Sequence, residues 1–150
     1  MPASNVYGTL VSVAGKGVLI EGPSGSGKST LALKLLITGT ALGLPVKLVS
    51  DDQVFLSVQD GRLAGTAPEA IAGLIEVWGV GPTAVDHVAS SPVDLLVRLV
   101  PKGCAPRMND DRREERFGIG LPLLELEERN ADGAVLAILA VLKRGPFREH

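Results

Sequence analysis

The residues Gly22-Pro23-Ser24-Gly25-Ser26-Gly27-Lys28-Ser29 satisfy the pattern G-x-x-x-x-G-K-[ST]. Each residue type in that pattern has a physical task. The glycines let the backbone curl so that successive N–H groups face phosphate oxygens, and the start of a following helix adds partial positive charge. Lys28 supplies a mobile cation for β- and γ-phosphates, and Ser29 offers a hydroxyl to Mg²⁺. Thr30 completes the expected binding set Gly22–Thr30. The chemistry implied is binding of a nucleoside triphosphate, ATP, together with Mg²⁺.

Carboxylates come next. Asp51 and Asp52 end an apolar run, where a P-loop protein holds Mg²⁺ or an activating base; Asp is also at home in an ordinary strand-end turn. Glu76 interrupts the apolar LIEV segment. A lone buried carboxylate is costly, so it either meets a metal or points to solvent from an edge strand. His87 follows Asp86 in an expected loop and His150 is terminal, so neither is a strong catalytic candidate. Cys104 has no base near it in sequence, which argues against a nucleophile. Trp78 fits either packing or a contact role.

These groups need elements to position them. Tyr7–Val13 reads as a strand, and Gly17–Glu21 as a strand buried on both faces leading into the glycine-rich turn. Ser29–Ile37 reads as a helix with Leu31, Leu35 and Leu36 on one face, ended within Thr38–Pro45. Val46–Ser50 is a strand that delivers Asp51, expected to lie next to the strand before the P-loop. Val54–Val58 and Arg62–Ala64 form a hairpin about Asp60-Gly61. Thr66–Gly73 is expected to be a short helix, Leu74–Val77 a strand, Gly79–Pro82 a loop, and Val93–Val100 a strand. Pro101–Gly120 is expected to be an exposed mobile loop, followed by a strand at Leu121–Leu126. Asp132 is expected to cap a helix over Ala134–Leu142, with Lys143 and Arg144 at its end.

Composition bounds the alternatives. At 150 residues the chain suits one domain, 1–150. It is 45% hydrophobic but only 3% aromatic, so its core must be aliphatic. A net charge of −2 gives no basic field for nucleic acid. The single cysteine excludes an intrachain disulfide and fits a reducing cytoplasm. No segment reads as a signal peptide or a membrane span.

Taken together, these motifs resemble the HPr kinase/phosphorylase catalytic domain. The P-loop is followed by Leu48-Val49-Ser50-Asp51-Asp52, similar to that family's strand ending in paired Asp residues. Gly65-Thr66-Ala67-Pro68 and Ile75-Glu76-Val77-Trp78-Gly79-Val80-Gly81 are similar to its signature, and the likeness runs from about Tyr7 to Arg107. Two positions depart from the pattern: Tyr7 stands at the usual His, and Trp78 at the usual Arg. Both departures bear on phosphorolysis and not on nucleotide binding.

The resemblance implies an α/β fold, a P-loop-containing mixed sheet flanked by helices of the HPr kinase/PEP carboxykinase type. It implies a short bacterial form without an N-terminal domain, and assembly as a hexamer. It further implies ATP or pyrophosphate on Gly22–Ser29, with Lys28 on the phosphates. Ser29 and Glu76 would bind Mg²⁺, Asp51 would be the base for a serine hydroxyl, and Asp52 would support it or the metal. Arg107 is the candidate for a positive residue after the last core strand. The first reading is therefore a serine kinase acting on HPr or a similar phosphocarrier protein of the phosphotransferase system. Two others stay open. One is a nucleotide-binding regulatory module without transfer activity, favoured by Tyr7 and Trp78. The other is a small-metabolite kinase with Arg107, Arg112, Arg113 and Arg116 in a lid.

Overall fold

The computed structural model describes residues 3–150. The apolar run before the P-loop can only be satisfied by burial on both faces, and it forms the middle of β3 (Lys16–Glu21). Val18, Leu19 and Ile20 are each fully buried. Beside β3 lies β2 (Thr9–Val13), joined to it by a tight Ala14-Gly15 turn in which both residues have positive φ. β4 (Val46–Ser50) pairs with the far side of β2. On the other side of β3 come β10 (Leu95–Val100), β12 (Ile119–Glu127) and β11 (Arg113–Arg116). The six-stranded sheet thus has the order β11-β12-β10-β3-β2-β4. β3, β10 and β12 are mutually parallel, while β2 and β11 are antiparallel to their neighbours. The fold class is accordingly α/β with a mixed sheet.

Helices α1 (Lys28–Leu42) and α2 (Ala131–Leu142) cover one face. Leu31, Ala32 and Leu35 of α1 and Ile138 and Leu139 of α2 meet Val18, Ile20 and Val97 there. The opposite face is covered by an antiparallel sheet of β1 (Ser4–Tyr7), β5 (Gln53–Gln59), β6 (Arg62–Thr66) and β9 (Ser90–Pro92), in the order β1-β5-β6-β9. Leu10, Leu19, Leu56 and Leu63 fill that second interface. Each buried leucine contributes about 1.5–3 kcal/mol, so two all-aliphatic layers can stabilise a chain with few aromatics. No helix among the described residues is long and apolar enough to cross a membrane.

Several sequence expectations change here. Tyr7–Val13 is two strands, because the chain passes from one sheet to the other at Gly8, where a Cβ would lie 3.1 Å from the Ile20 carbonyl oxygen. β4 is not adjacent to β3, since β2 runs between them. α1 begins at Lys28 and continues to Leu42, with Gly39 inside it packed against Val46 and Gly43 (φ 71) ending it. Thr66–Gly73 contains only a 3-10 turn, Glu69–Ile71. Gly79–Pro82 is not all loop: β8 (Gly81–Ala84) pairs with β7 (Leu74–Val77) as a hairpin. Residues 101–120 are not loop throughout, because β11 and the start of β12 lie within them. Asn130, not Asp132, precedes α2; Asp132 is in its first turn and pairs with Lys34 at 3.2 Å. The Asp60-Gly61 turn forms as expected, with φ values of 52° and 75°.

One close approach joins the two sheets. A Cβ on Gly17 would lie 1.6 Å from the Pro92 carbonyl oxygen. Asp94 holds the same point, accepting from the Gly17 N–H at 2.8 Å while its own N–H donates to the Gly17 carbonyl. Gly17→Ala must part backbone from backbone and is expected to cost about 3 kcal/mol, seen as a lower urea midpoint. An unchanged midpoint would refute the close packing of β3 on β9.

Candidate active site at the carboxyl edge of the sheet

All parallel strands end at one edge, and the candidate residues gather there. Gly22–Gly27 connects β3 to α1, with Gly25 and Gly27 in left-handed conformations (φ 82 and 94) that other residues avoid. Gly22 is required for a different reason: a Cβ on it would sit 2.6 Å from Ser26 Oγ. α1 has no side-chain cap and no acidic residue in its first turn, so its opening N–H groups stay available to an anion. Lys28 is buried and donates from Nζ to the carbonyl oxygens of Gly22 (2.8 Å) and Pro23 (3.3 Å). Its ammonium therefore hangs over the mouth of its own loop. Among the described residues, Ser26 Oγ is buried without a hydrogen-bond partner.

Asp51 is the hub. Ser29 Oγ donates to Asp51 Oδ1 at 2.6 Å, and Thr9 Oγ1 donates to the same oxygen at 3.0 Å. The backbone N–H of Glu76 donates to Asp51 Oδ2 at 2.8 Å. Asp51 is only 7% exposed, so its position is fixed by these three donors. Thr9 is fully buried and also accepts from the Asp52 N–H at 3.2 Å. It reaches the site because antiparallel β2 starts at the edge where β3 and β4 end.

The remaining candidates differ in whether they reach this hub. Asp52 adopts φ 69 and is exposed beside it. The Glu76 side chain is exposed on the β7–β8 hairpin, and only its backbone touches Asp51. Thr30 lies in the first turn of α1. Tyr7, 77% exposed, is in register with Gln53, the residue after Asp52. Trp78 is 93% exposed at the hairpin tip, so it is not a packing residue. Arg107 is exposed and lines a shallow pocket with Leu124 and Ala137, and among the described residues it makes no hydrogen bond to Ser29 or Asp51. His87 lies over Gly73 and bridges to Leu48 at the sheet edge, so it is not in a free loop. Cys104 is exposed, as is His150.

Two residues at this edge carry no sequence signal. Thr9 looks like any β-branched strand residue. Arg129 follows β12 and donates from Nε to the Gly25 carbonyl at 2.9 Å.

Farther along the sheet, Arg98 bonds to Glu114, and Arg116 bonds to Glu114 and to Glu21 (2.7 Å). Arg112 bonds to Glu125, and Arg113 donates to the Gly120 carbonyl. The pairs among Glu21, Arg98, Glu114 and Arg116 hold the β11–β12 hairpin to the strand that carries the P-loop, the other two bonds lie within the hairpin, and together they occupy three arginines suggested for a basic lid. The Arg98 hydrogen bond is the main influence that lowers the Glu114 pKa, with burial opposing it and Arg116 assisting. A lowered folded-state pKa stabilises the fold above the ordinary value of 4.5 and ceases to do so as pH falls through the folded value. Glu114→Gln should therefore lower Tm by roughly 1–3 °C at pH 7, an amount limited by solvent screening, and by progressively less as pH falls below 4.5 toward the folded value. A loss that does not shrink as pH is lowered would count against an ionic role.

A glycine-rich turn between a buried strand and a helix, with a lysine over its mouth and a Ser–Asp pair beside it, lies at the carboxyl edge of an α/β domain built on a mixed sheet. The model of the HPr serine kinase C-terminal domain matches residues 1–90, and the chain belongs to that family. Its relatives include the HPr kinase/phosphorylase of Clostridium botulinum (strain Eklund 17B / Type B), 41% identical over 149 residues, covering 92% of this chain and 46% of the relative. That of Clostridium novyi (strain NT) is 44% identical over 132 residues, covering 83% of this chain and 39% of the relative. The chain thus spans less than half the length of these relatives. The structure of the Hpr(Ser) kinase/phosphatase from Coxiella burnetii superposes with a TM-score of 0.78 at 26% identity, covering 93% of this chain and 88% of that one.

Proposed function

We propose that this domain is an ATP- and Mg²⁺-dependent serine kinase acting on HPr or a similar phosphocarrier protein. The observation that carries the proposal is the Ser29–Asp51 hydrogen bond at the mouth of the P-loop. It puts a hydroxyl suited to a phosphate-bound metal beside a carboxylate suited to proton transfer. Family membership and the names of the relatives support the choice of substrate.

The donor set fits Mg²⁺. No group of three His, Cys, Asp or Glu side chains forms a metal cage among the described residues. Mg²⁺ needs none, since it binds through one or two protein oxygens plus substrate phosphates and water. Ser29 would hold it, with Asp52 and Glu76 as exposed carboxylates near the same edge. When bound, it would supply charge neutralisation for the phosphate groups.

The rest is done by the chain. The N–H groups of the loop and of the first turn of α1 hold the phosphate oxygens, and Lys28 balances charge on the transferred group. A carboxylate has about four lone-pair positions, and Asp51 has three donors. The remaining position is open to the serine hydroxyl. Asp51 takes that proton as the serine oxygen attacks the γ-phosphorus in line, and the bond to the ADP oxygen breaks. In the reverse direction it returns the proton. Exposed Trp78 and Val80 on the hairpin and Tyr7 beside Asp52 offer apolar surface for a protein substrate. The reading includes a cytoplasmic setting and hexameric assembly, the latter measurable by light scattering.

The deciding experiment is Mg²⁺-dependent transfer of label from the γ-phosphate of ATP to a serine of HPr, with pyrophosphate tried separately. Tyr7 and Trp78, at the family's His and Arg positions, favour one other reading, a regulatory module that binds nucleotide without transfer. Tight ATP binding with no transfer to any HPr-type protein would select it.

A further inference from the structure

The turn between β12 and α2 makes contacts that the proposed chemistry does not use. Arg129 adopts a left-handed conformation, φ 53, which a long side chain occupies at a cost. In that conformation its backbone N–H donates to the Ser26 carbonyl at 3.0 Å. Its side chain folds over the same loop, with Nε donating to the Gly25 carbonyl at 2.9 Å. Its Cα lies near Gly27, where an added Cβ would meet it at 3.6 Å. The adjoining Glu128 N–H is tied to the Val100 carbonyl at 2.8 Å, so the turn is anchored to β10 as it touches the P-loop.

Two consecutive carbonyls of the P-loop are therefore taken by one residue from outside. In a trans peptide the carbonyl and the following N–H point in opposite directions. Fixing the Gly25 carbonyl fixes the Ser26 N–H, which closes a turn onto the Pro23 carbonyl at 3.0 Å. Fixing the Ser26 carbonyl aims the Gly27 N–H away from Arg129, among the donors that open α1.

We propose that Arg129 is a positioning residue of the phosphate site: its side chain, through the Gly25 carbonyl, sets the Gly25–Ser26 peptide plane so that the loop is shaped for a pyrophosphate group before that group arrives, while the backbone bond to Ser26 is one that any residue here makes. The inference rests on the phosphate-binding reading above and deepens it. The ligand class is the pyrophosphate moiety shared by a nucleoside triphosphate and inorganic pyrophosphate. The role is hydrogen bonding to the loop, not contact between the guanidinium charge and phosphate.

Glutamine separates these two roles, because its amide nitrogen stands the same number of bonds from Cα as Arg Nε. It can donate to the Gly25 carbonyl but carries no charge. The dissociation constants of Mg-ATP and of Mg-pyrophosphate are measured by calorimetry on the wild type, Arg129→Ala and Arg129→Gln, with Tm for each. The Arg129 side chain is 68% exposed, so all three proteins are expected to melt within a few degrees of each other. Arg129→Ala should bind both ligands about tenfold more weakly, and Arg129→Gln should stay within about threefold of the wild type. Unchanged binding by Arg129→Ala overturns the inference and leaves the phosphate site standing. Arg129→Gln as weak as Arg129→Ala overturns it in favour of a direct charge contact, and loss confined to ATP overturns it in favour of a nucleoside contact. If the wild type bound neither ligand, the phosphate-site reading would fall and the inference with it.

Discussion

Asp51→Asn is expected to reduce phosphotransfer to HPr by about 10²–10⁴-fold, the range for removing a positioned general base. Two effects act in the same direction. The amide that replaces the carboxylate is not basic at neutral pH, its nitrogen lone pair being delocalised into the carbonyl, so it cannot take the serine proton. It must also turn an NH₂ group toward either Ser29 and Thr9 or the Glu76 N–H, which are the donors now satisfied by Asp51. One buried donor then faces another, at a cost of about 1–2 kcal/mol in stability. The hydroxyls of Ser29 and Thr9 can rotate, which keeps that cost modest. The kinetic loss should therefore far exceed the loss in stability, and Mg-ATP should still bind within about tenfold of wild type. The measurements are transfer of label to HPr, nucleotide affinity and Tm on one preparation. Retention of more than a tenth of wild-type transfer would remove Asp51 from the base role. A fall in affinity as deep as the fall in rate would assign it to binding.

The parts of the fold legible in the sequence are those in which local pattern and tertiary need coincide. β3 reads correctly because its apolar run is buried on both faces, and the helix after the P-loop because Leu31, Leu35 and Leu36 share a face that becomes core. The Asp60-Gly61 hairpin reads correctly because its turn chemistry is local. The errors have a common source in long-range placement. Tyr7–Val13 alternates like one strand, and nothing local says that Gly8 transfers it between sheets. The charges of Arg113–Arg116 look like a solvated loop, yet Glu114 and Arg116 meet Arg98 and Glu21 from other strands. Gly39 looks like a helix end, but it is small because α1 lies against Val46.

The same distinction governs the site. Gly22–Ser29 is contiguous, so its chemistry is written in one segment. Asp51 is legible because a carboxylate at the end of an apolar strand is unusual enough to notice. Thr9 is not, since a threonine opening a strand is ordinary until β2 is seen to run between β3 and β4. Arg129 lies more than a hundred residues from the loop it touches, and only the parallel return of β12 brings it there. Glu76 is a mixed case: its side chain stands exposed near the same edge, while the contact it makes with Asp51 is through its backbone.

Lys28→Met is the second large expected effect, and it should separate binding from folding by acting on them differently. Lys28 is 8% exposed, and among the described residues it has no carboxylate partner; its ammonium is held only by the Gly22 and Pro23 carbonyls. A cation held this way is poorly compensated for lost hydration, and it becomes well compensated when phosphate oxygens arrive. Methionine keeps the methylene packing and removes the charge. The folded protein then loses two hydrogen bonds whose acceptors lie at the loop mouth and can turn to water, and it no longer desolvates a charge. Tm should stay within about 2 °C of wild type or rise. Charge developing on the transferred phosphoryl group loses its nearest fixed cation, so kcat should fall by about 10²–10³-fold and Mg-ATP should bind roughly tenfold more weakly. Arginine should not restore the rate, because its planar fork is wider than an ammonium and the loop is closed around Lys28. A variant that melts much earlier while keeping its rate would show that Lys28 serves the loop's structure. Unaltered stability with lost transfer would place its contribution in the phosphate complex alone.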